Sequence, residues 1–152
     1  MWSARSIDIF TKEAGMARKK LIALLVPGAD ESFTNLKALL KEQSVEVWSA
    51  QTFDQVAHLL DQTHPELIFT STTFCDGSWR DIIGLGENAS VPVNVIVVGN
   101  HRNTRLYLST MDYGAFDFIL PPFEPEPLAH VVTVAADNIR SRRGEKAIRA
   151  VA

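Results

Sequence analysis

The sequence predicts an α/β domain, a doubly wound five-stranded parallel sheet held between two helical layers as a three-layer sandwich. Two observations carry this. Short aliphatic runs alternate five times with stretches of helical period, and loops of a few residues join them. The first and fourth runs are apolar almost throughout rather than alternating, as strands buried on both faces are. Such burial is typical of parallel sheets wrapped by crossover helices.

The elements follow in order. "KLIALLV", Lys20 to Val26, is the first strand, and "PGADES" punctuates it. "SFTNLKALLKEQ" then places Phe33, Leu36, Leu39 and Leu40 at helical spacing. "VEVWSA" is a short alternating strand. "TFDQVAHLLDQT" is a second amphipathic helix, with Phe53, Val56, Leu59 and Leu60 on one side and Thr52 as N-cap. "HPELIFTST" reads as a strand opened by Pro65, and "DGSWRDIIGLGEN" as a short, weak helix broken by Gly84 and Gly86. "VPVNVIVVGN" is the fourth strand, and "NTRLYLSTMDYG" a helix closed by Gly114. "FDFIL" is the fifth strand. "EPEPLAHVVTVAADNIRSRR" is the longest helix, its prolines standing in the first turn, where amides have no helical partner anyway.

A chain of 152 residues suits one domain. Residues 19–143 carry the alternation. Residues 1–18 stand outside it as a leader or a short docking helix ("SIDIFTKEA"), with Met16 a candidate start, and residues 144–152 form a basic tail. The stretch "NIRSRRGEKAIRAVA" reads as a solvated helix end, with Arg140, Arg142 and Arg143 complementing the helix dipole. A net charge of −3 gives no reason to expect nucleic acid. No apolar run approaches the ~20 residues of a membrane span, and the N-terminus lacks the order of a secretory signal. The single cysteine, Cys75, excludes an internal disulfide framework and fits a reducing cytoplasm, the expected location.

Open α/β sheets bind ligands at the carboxyl ends of their strands. That rim consists of Pro27 and Gly28, then Ser71 and Thr72, then Val98, Gly99 and Asn100, then Pro121 and Pro122. It holds no carboxylate cluster, His or Lys; Asp30 and Glu31 lie further on and read as helix starters. His58, His64, His101 and His130 fall on separate elements without metal-ligand spacing. Cys75 has no neighbouring base or second cysteine to lower its pKa and reads as inert. "GLGENA" follows a helix rather than a strand, so it is no dinucleotide loop.

The order "HPELIFTST", "DGSW", "VPVNVIVVG" and "GAFDFILPPFEPEPL" resembles the receiver domain of bacterial two-component response regulators, over about residues 19 to 140. The resemblance implies the flavodoxin/CheY-like (βα)5 fold. Gly114, Ala115, Phe118, Pro122, Phe123 and Leu128 match the family's pattern Gly-Ala-x-x-aromatic-x-x-Lys-Pro-Phe-x-x-x-x-Leu. The residues that carry the family's phosphorylation do not match. Ser71 stands for the phosphoacceptor aspartate, Pro27 and Gly28 for the magnesium-holding acids, Val98 for the Ser or Thr after the fourth strand, and Pro121 for the lysine. Phe118 holds the position of the family's switching aromatic and reads as core.

Phosphoryl transfer to a carboxylate needs a nucleophile, a hard cation held by oxygens, and a positive group over the transferred charge. None of these residues supplies one. The expectation is therefore a degenerate receiver, a phosphorylation-independent and non-enzymatic protein-interaction module of bacterial signalling, without cofactor and without magnesium. The family commonly pairs through its fourth helix, fifth strand and fifth helix. Here that face draws on Arg102, Arg105, Tyr107, Asp112, Phe118 and Glu126, for a protein partner or a homodimer; Trp79, if exposed, is a further anchor. The chain reads as a single-domain adaptor or a piece of a larger regulator. Two other readings are a small-molecule or nucleotide sensor using a rim pocket of Pro27, Gly28, Ser71, Thr72, Gly99 and Asn100, and a conventional receiver using a displaced acid, Asp30 or Asp76.

Overall fold

The computed structural model describes residues 20–151. The leader expected over residues 1–18, Met16 included, lies outside the described residues. The chain runs β1 (Ile22–Val26), α1 (Ser32–Glu42), β2 (Glu46–Ser49), α2 (Phe53–Thr63), β3 (Leu67–Ser71), β4 (Thr73–Phe74), β5 (Gly77–Ser78), α3 (Trp79–Glu87), β6 (Asn94–Val98), α4 (Thr104–Tyr113), β7 (Asp117–Ile119) and α5 (Pro125–Val151). The main sheet has five strands in the order β2-β1-β3-β6-β7, and every pairing within it is parallel. The predicted fold class holds.

Parallel strands send alternate side chains to opposite faces, and each face must be covered. Leu24, Val26, Ile68, Val95 and Val97 point to one side and pack against Val56 and Leu60 of α2 and Trp79, Ile82 and Ile83 of α3. Ala23, Leu25, Leu67, Phe69, Ile96 and Val98 point to the other, against Phe33, Leu36 and Leu40 of α1 and Leu128, Val132 and Ala135 of α5. β3 and β6 are buried along their whole length, as their apolar runs require.

Local signals place most boundaries. The Thr52 hydroxyl accepts from Gln55 N at 3.2 Å, the N-cap read from the sequence. Gly114 ends α4 at φ 123°, a conformation that favours glycine. The Pro121–Pro122 peptide is cis.

Three features differ from the sequence reading. The helix after β3 is not broken by its glycines. Ser78 N donates to Asp81 Oδ2 at 2.8 Å across its first turn, and Trp79, Ile82 and Ile83 are buried. Burial of about 1.5–3 kcal/mol per large side chain outweighs the ~1 kcal/mol cost of each glycine. Gly86 is also useful: a Cβ there would stand 3.3 Å from Val93 and Val95, so its absence lets α3 lie close on β6.

Between β3 and α3 the chain forms an antiparallel hairpin, β4–β5, with Thr73 opposite Ser78 and Phe74 opposite Gly77. The third difference is the last helix, which continues without interruption to Val151, a length of 27 residues.

Its basic stretch is largely exposed, as a solvated end is, but its arginines also reach back to the sheet. Arg142 donates to Asn94 Oδ1 at 2.8 Å, and Asn94 donates in turn to Ala135 O and Asn138 Oδ1, both at 3.0 Å. Arg143 donates to Pro92 O and Pro65 O at 2.8 Å and to His64 O at 3.2 Å. Glu66, 6% exposed, lies 3.8 Å from both Arg140 and Arg143 and accepts from Ile22 N at 2.8 Å. Partial burial lowers the Arg143 pKa; the Glu66 charge opposes that shift and Arg140 adds to it. These groups fasten α5 to the amino ends of the sheet.

Candidate functional site at the carboxyl ends of the strands

Four loops converge where β1, β3, β6 and β7 end. Ser71 is the last residue of β3, in register with Val98 of β6, and only 7% exposed. Its hydroxyl faces the backbone of Gly28. A Cβ on Gly28 would stand 2.4 Å from Ser71 Oγ and 2.7 Å from Thr73 O. The loop after β1 therefore lies directly on β3, and only a residue without a side chain fits there. The hydroxyl is thus in contact with the Gly28 backbone and almost wholly shielded.

The acids nearest this rim are committed elsewhere. Asp30 Oδ1 accepts from Ser32 N at 2.9 Å and Ser32 Oγ at 2.6 Å, fastening the start of α1. Those bonds, the side-chain one foremost, lower its pKa against a small opposing effect of burial. Asp76 Oδ1 accepts from Phe53 N at 2.9 Å and so satisfies an amide at the start of α2. Among the described residues no three His, Cys, Asp or Glu side chains stand together as a metal site. The magnesium that the fold family implies is not matched by the groups present, since Pro27 and Gly28 bring only backbone carbonyls.

On the other side of the rim Phe118 is half-buried, packed on the core beneath α4. Its Cζ would lie 2.6 Å from a Cβ on Gly99. Adjacent strand residues face opposite ways, so Val98 points into the α1–α5 layer and Gly99, not Val98, confronts the aromatic ring. Tyr107 stacks edge-on against the outer side of Phe118, with centroids 6.0 Å apart.

The expected rim pocket is not assembled. Asn100 is exposed, and the Thr72 carbonyl accepts the first amide of α3, Trp79 N, at 3.1 Å. The cavity at the strand ends, about 400 Å³, is instead lined by Pro27, Gly28, Ala29, Gln51, Thr73, Phe74 and Cys75. Ser71, Thr72, Gly99 and Asn100 do not line it. The hairpin that forms one wall was hidden in the sequence, because its strands are only two residues long.

On the outer face, Arg102, Arg105, Tyr107 and Asp112 are exposed along α4 and just before it, and Glu126 is exposed on α5. β7 lies between these helices at the edge of the sheet. Trp79 is not an anchor: it is 4% exposed, edge-on to Tyr113 at 5.4 Å and covered by Arg80 at 4.6 Å. The sequence reading missed Leu108, which is 55% exposed beside Tyr107 at 42%. With Leu106 inward, a residue two positions on turns about 200° away and must face out. The reading also missed an apolar groove of about 270 Å³ formed by Ile119, Leu120, Pro122, Phe123, Pro127 and Val131, among others.

Within β7, Gly99 N donates to Ile119 O, so Ile119 faces β6 and the Phe118 amide points to the open edge. There it donates to Asp117 Oδ1 at 2.7 Å.

Comparison with solved structures shows what this architecture is similar to. A signal receiver domain of a Luxo repressor protein from Vibrio parahaemolyticus matches with a TM-score of 0.68 and 21% identity, over 82% of this chain and 95% of that one. A response regulator from Thermotoga maritima matches at 0.67 and 19%, over 78% and 99%. A response regulator receiver domain protein from Clostridium thermocellum matches at 0.66 and 20%, over 80% and 98%. No family model and no curated protein sequence matches. The chain has the receiver fold.

Proposed function

We propose that the protein is a receiver-fold interaction module of bacterial signal transduction that works without phosphorylation, magnesium or enzymatic activity. One observation carries this reading: the Gly28 backbone is packed against the buried Ser71 hydroxyl where a receiver's acceptor would stand. A phosphoryl group needs three oxygens' worth of space and a cation to offset its charge. The Gly28 contact takes that space at Ser71, no Lys or Arg lines the cavity beside it, and Asp30 and Asp76 are spent on the starts of α1 and α2.

The working surface is the α4–β7–α5 face. Tyr107 and Leu108 form an exposed apolar knob on α4, and the groove beside β7 is apolar. Arg102 and Arg105 lie on the α4 side, Glu124 and Glu126 on the α5 side. A second copy related by a twofold axis would set each basic side against the other's acidic side and each knob by a groove. The partner is therefore a protein, with a second copy of this chain as first candidate, acting in the cytoplasm. Among the described residues no helix is long and apolar enough to cross a membrane.

Amide NMR with magnesium and beryllofluoride, combined with sedimentation equilibrium of the wild type and Leu108→Glu, tests both halves. The expected result is no shift at Ser71, Val98 or Phe118, and association that Leu108→Glu abolishes. Magnesium-dependent shifts at those residues would overturn the first half. Association indifferent to Leu108 would overturn the second.

A further inference from the structure

The cavity at the strand ends lies where sheet order reverses. β1 is flanked by β2 on one side and β3 on the other, so the chain crosses from β1 to β2 one way along the sheet and from β3 to β6 the other, and the cavity lies above where the loops after β1 and β3 meet. That topological switch point is where open α/β sheets take their ligands. We propose that this crevice is a binding site for a small, uncharged planar heterocycle of nucleobase or nucleoside type.

Its walls are fixed in advance. One is the hairpin, whose ladder holds Thr73 and Phe74, and Asp76 at its turn is tied to the start of α2 through Phe53 N at 2.9 Å. The other is the Pro27–Ala29 loop, which meets the hairpin at its base so closely that a Cβ on Gly28 would stand 2.7 Å from Thr73 O. A pocket already built keeps down the ordering cost of binding. At about 400 Å³ it suits a small ligand rather than a dinucleotide.

The lining sets the chemistry. Pro27, Ala29 and the Phe74 ring are apolar surfaces for a flat molecule. The Gln51 carboxamide offers a donor and an acceptor, and the Thr73 hydroxyl offers both; neither has a protein hydrogen-bond partner among the described residues. No Lys, Arg or His lines the cavity. Asp30 and Asp76 directly follow lining residues, and Asp30 is held ionised by its bonds to Ser32. A phosphate would meet negative charge with nothing to offset it. The site therefore selects a base or nucleoside over its 5′-phosphate, the reverse of a phosphate-binding rim.

Amide NMR titration of the protein with adenosine, uridine, adenine and uracil, and separately with AMP and UMP, tests this. The expected result is shifts at Gly28, Ala29, Gln51, Thr73 and Cys75 for at least one uncharged probe. Its 5′-phosphate should bind roughly fivefold or more weakly at low salt, with the gap narrowing as salt is added. Gln51→Ala should weaken binding about tenfold, as expected from the loss of a hydrogen bond to an uncharged partner. Cys75→Trp, at an exposed lining position, should fill the cavity and abolish binding while the rest of the spectrum stays native. No shift from any probe at millimolar concentration, shifts elsewhere on the surface, or tighter binding of the phosphates would each overturn the proposal. The outcome is independent of whether the α4–β7–α5 face associates.

Discussion

The Phe118 ring is seated against Gly99, so closely that one added methyl on Gly99 would lie 2.6 Å from Phe118 Cζ. The inward position of the ring is thus permitted by a missing side chain rather than held by a hydrogen bond. Gly99→Ala is expected to drive Phe118 outward and displace Tyr107, at a cost of ~1–3 kcal/mol for an overfilled site. NOEs between Phe118 and Tyr107 report the ring's place and denaturant unfolding reports the cost. Unchanged NOEs with a stability change under about 0.5 kcal/mol would refute the steric account.

Restoring an acceptor should fail. Ser71→Asp places a carboxylate against the Gly28 backbone with no donor or metal to offset its burial. We expect a loss of about 3 kcal/mol or more, and no response to magnesium and beryllofluoride by NMR. A variant of wild-type stability that responds to both would show that the rim opens readily.

Arg143 should behave as a structural clamp. Arg143→Ala removes bonds to three carbonyls and leaves buried Glu66 with one arginine fewer. The expected cost is ~2–3 kcal/mol, with faster hydrogen exchange confined to α5 beyond Ile139. Uniformly faster exchange across the domain would show that the helix end is not a separate opening unit.

Trp79 tests core against interface. Trp79→Ala should cost ~3–5 kcal/mol through the cavity it leaves, while the association constant of the α4–β7–α5 face stays unchanged in the folded fraction. Weakened association at full stability would return Trp79 to the interface.

Acid titration should reveal the Asp30–Ser32 pair. The folded pKa of Asp30 lies below its ordinary 3.8. Its contribution is complete above that value and is lost as pH falls through the folded one. The group is largely exposed, so screening limits the contribution to about 0.5 kcal/mol. Ser32→Ala should be less stable than wild type near pH 6 and equal to it near pH 2, measured by urea unfolding. A difference that persists at low pH would assign the effect to something other than the carboxylate.

Most of the fold could be read from the chain because its signals are local. Apolar runs such as "NVIVV", the Thr52 cap and Gly114 each decide one element without distant help. The misses are tertiary. α3 survives its glycines because Trp79 and Ile83 find a core, and Arg142 is held because Asn94, 48 positions away, meets it. That Pro27, Gly28, Ser71 and Pro121 stand at the carboxyl ends of the strands was visible in the sequence. That Gly28 closes upon Ser71, and that Gly99 rather than Val98 faces Phe118, depends on how strands register and could only be seen once they were paired.

The bond from the Phe118 amide to Asp117 Oδ1 has a bearing on how copies of this chain can meet. An outer strand with a free amide invites another strand to zip alongside it, and such growth has no natural end. Here the amide is answered from within the same strand, and a carboxylate stands guard beside it. One amide of the outer strand is therefore closed to such pairing, which leaves side chains the readier means of contact. Encounters through side chains can finish, and one aspartate at the margin of the sheet favours them over filaments.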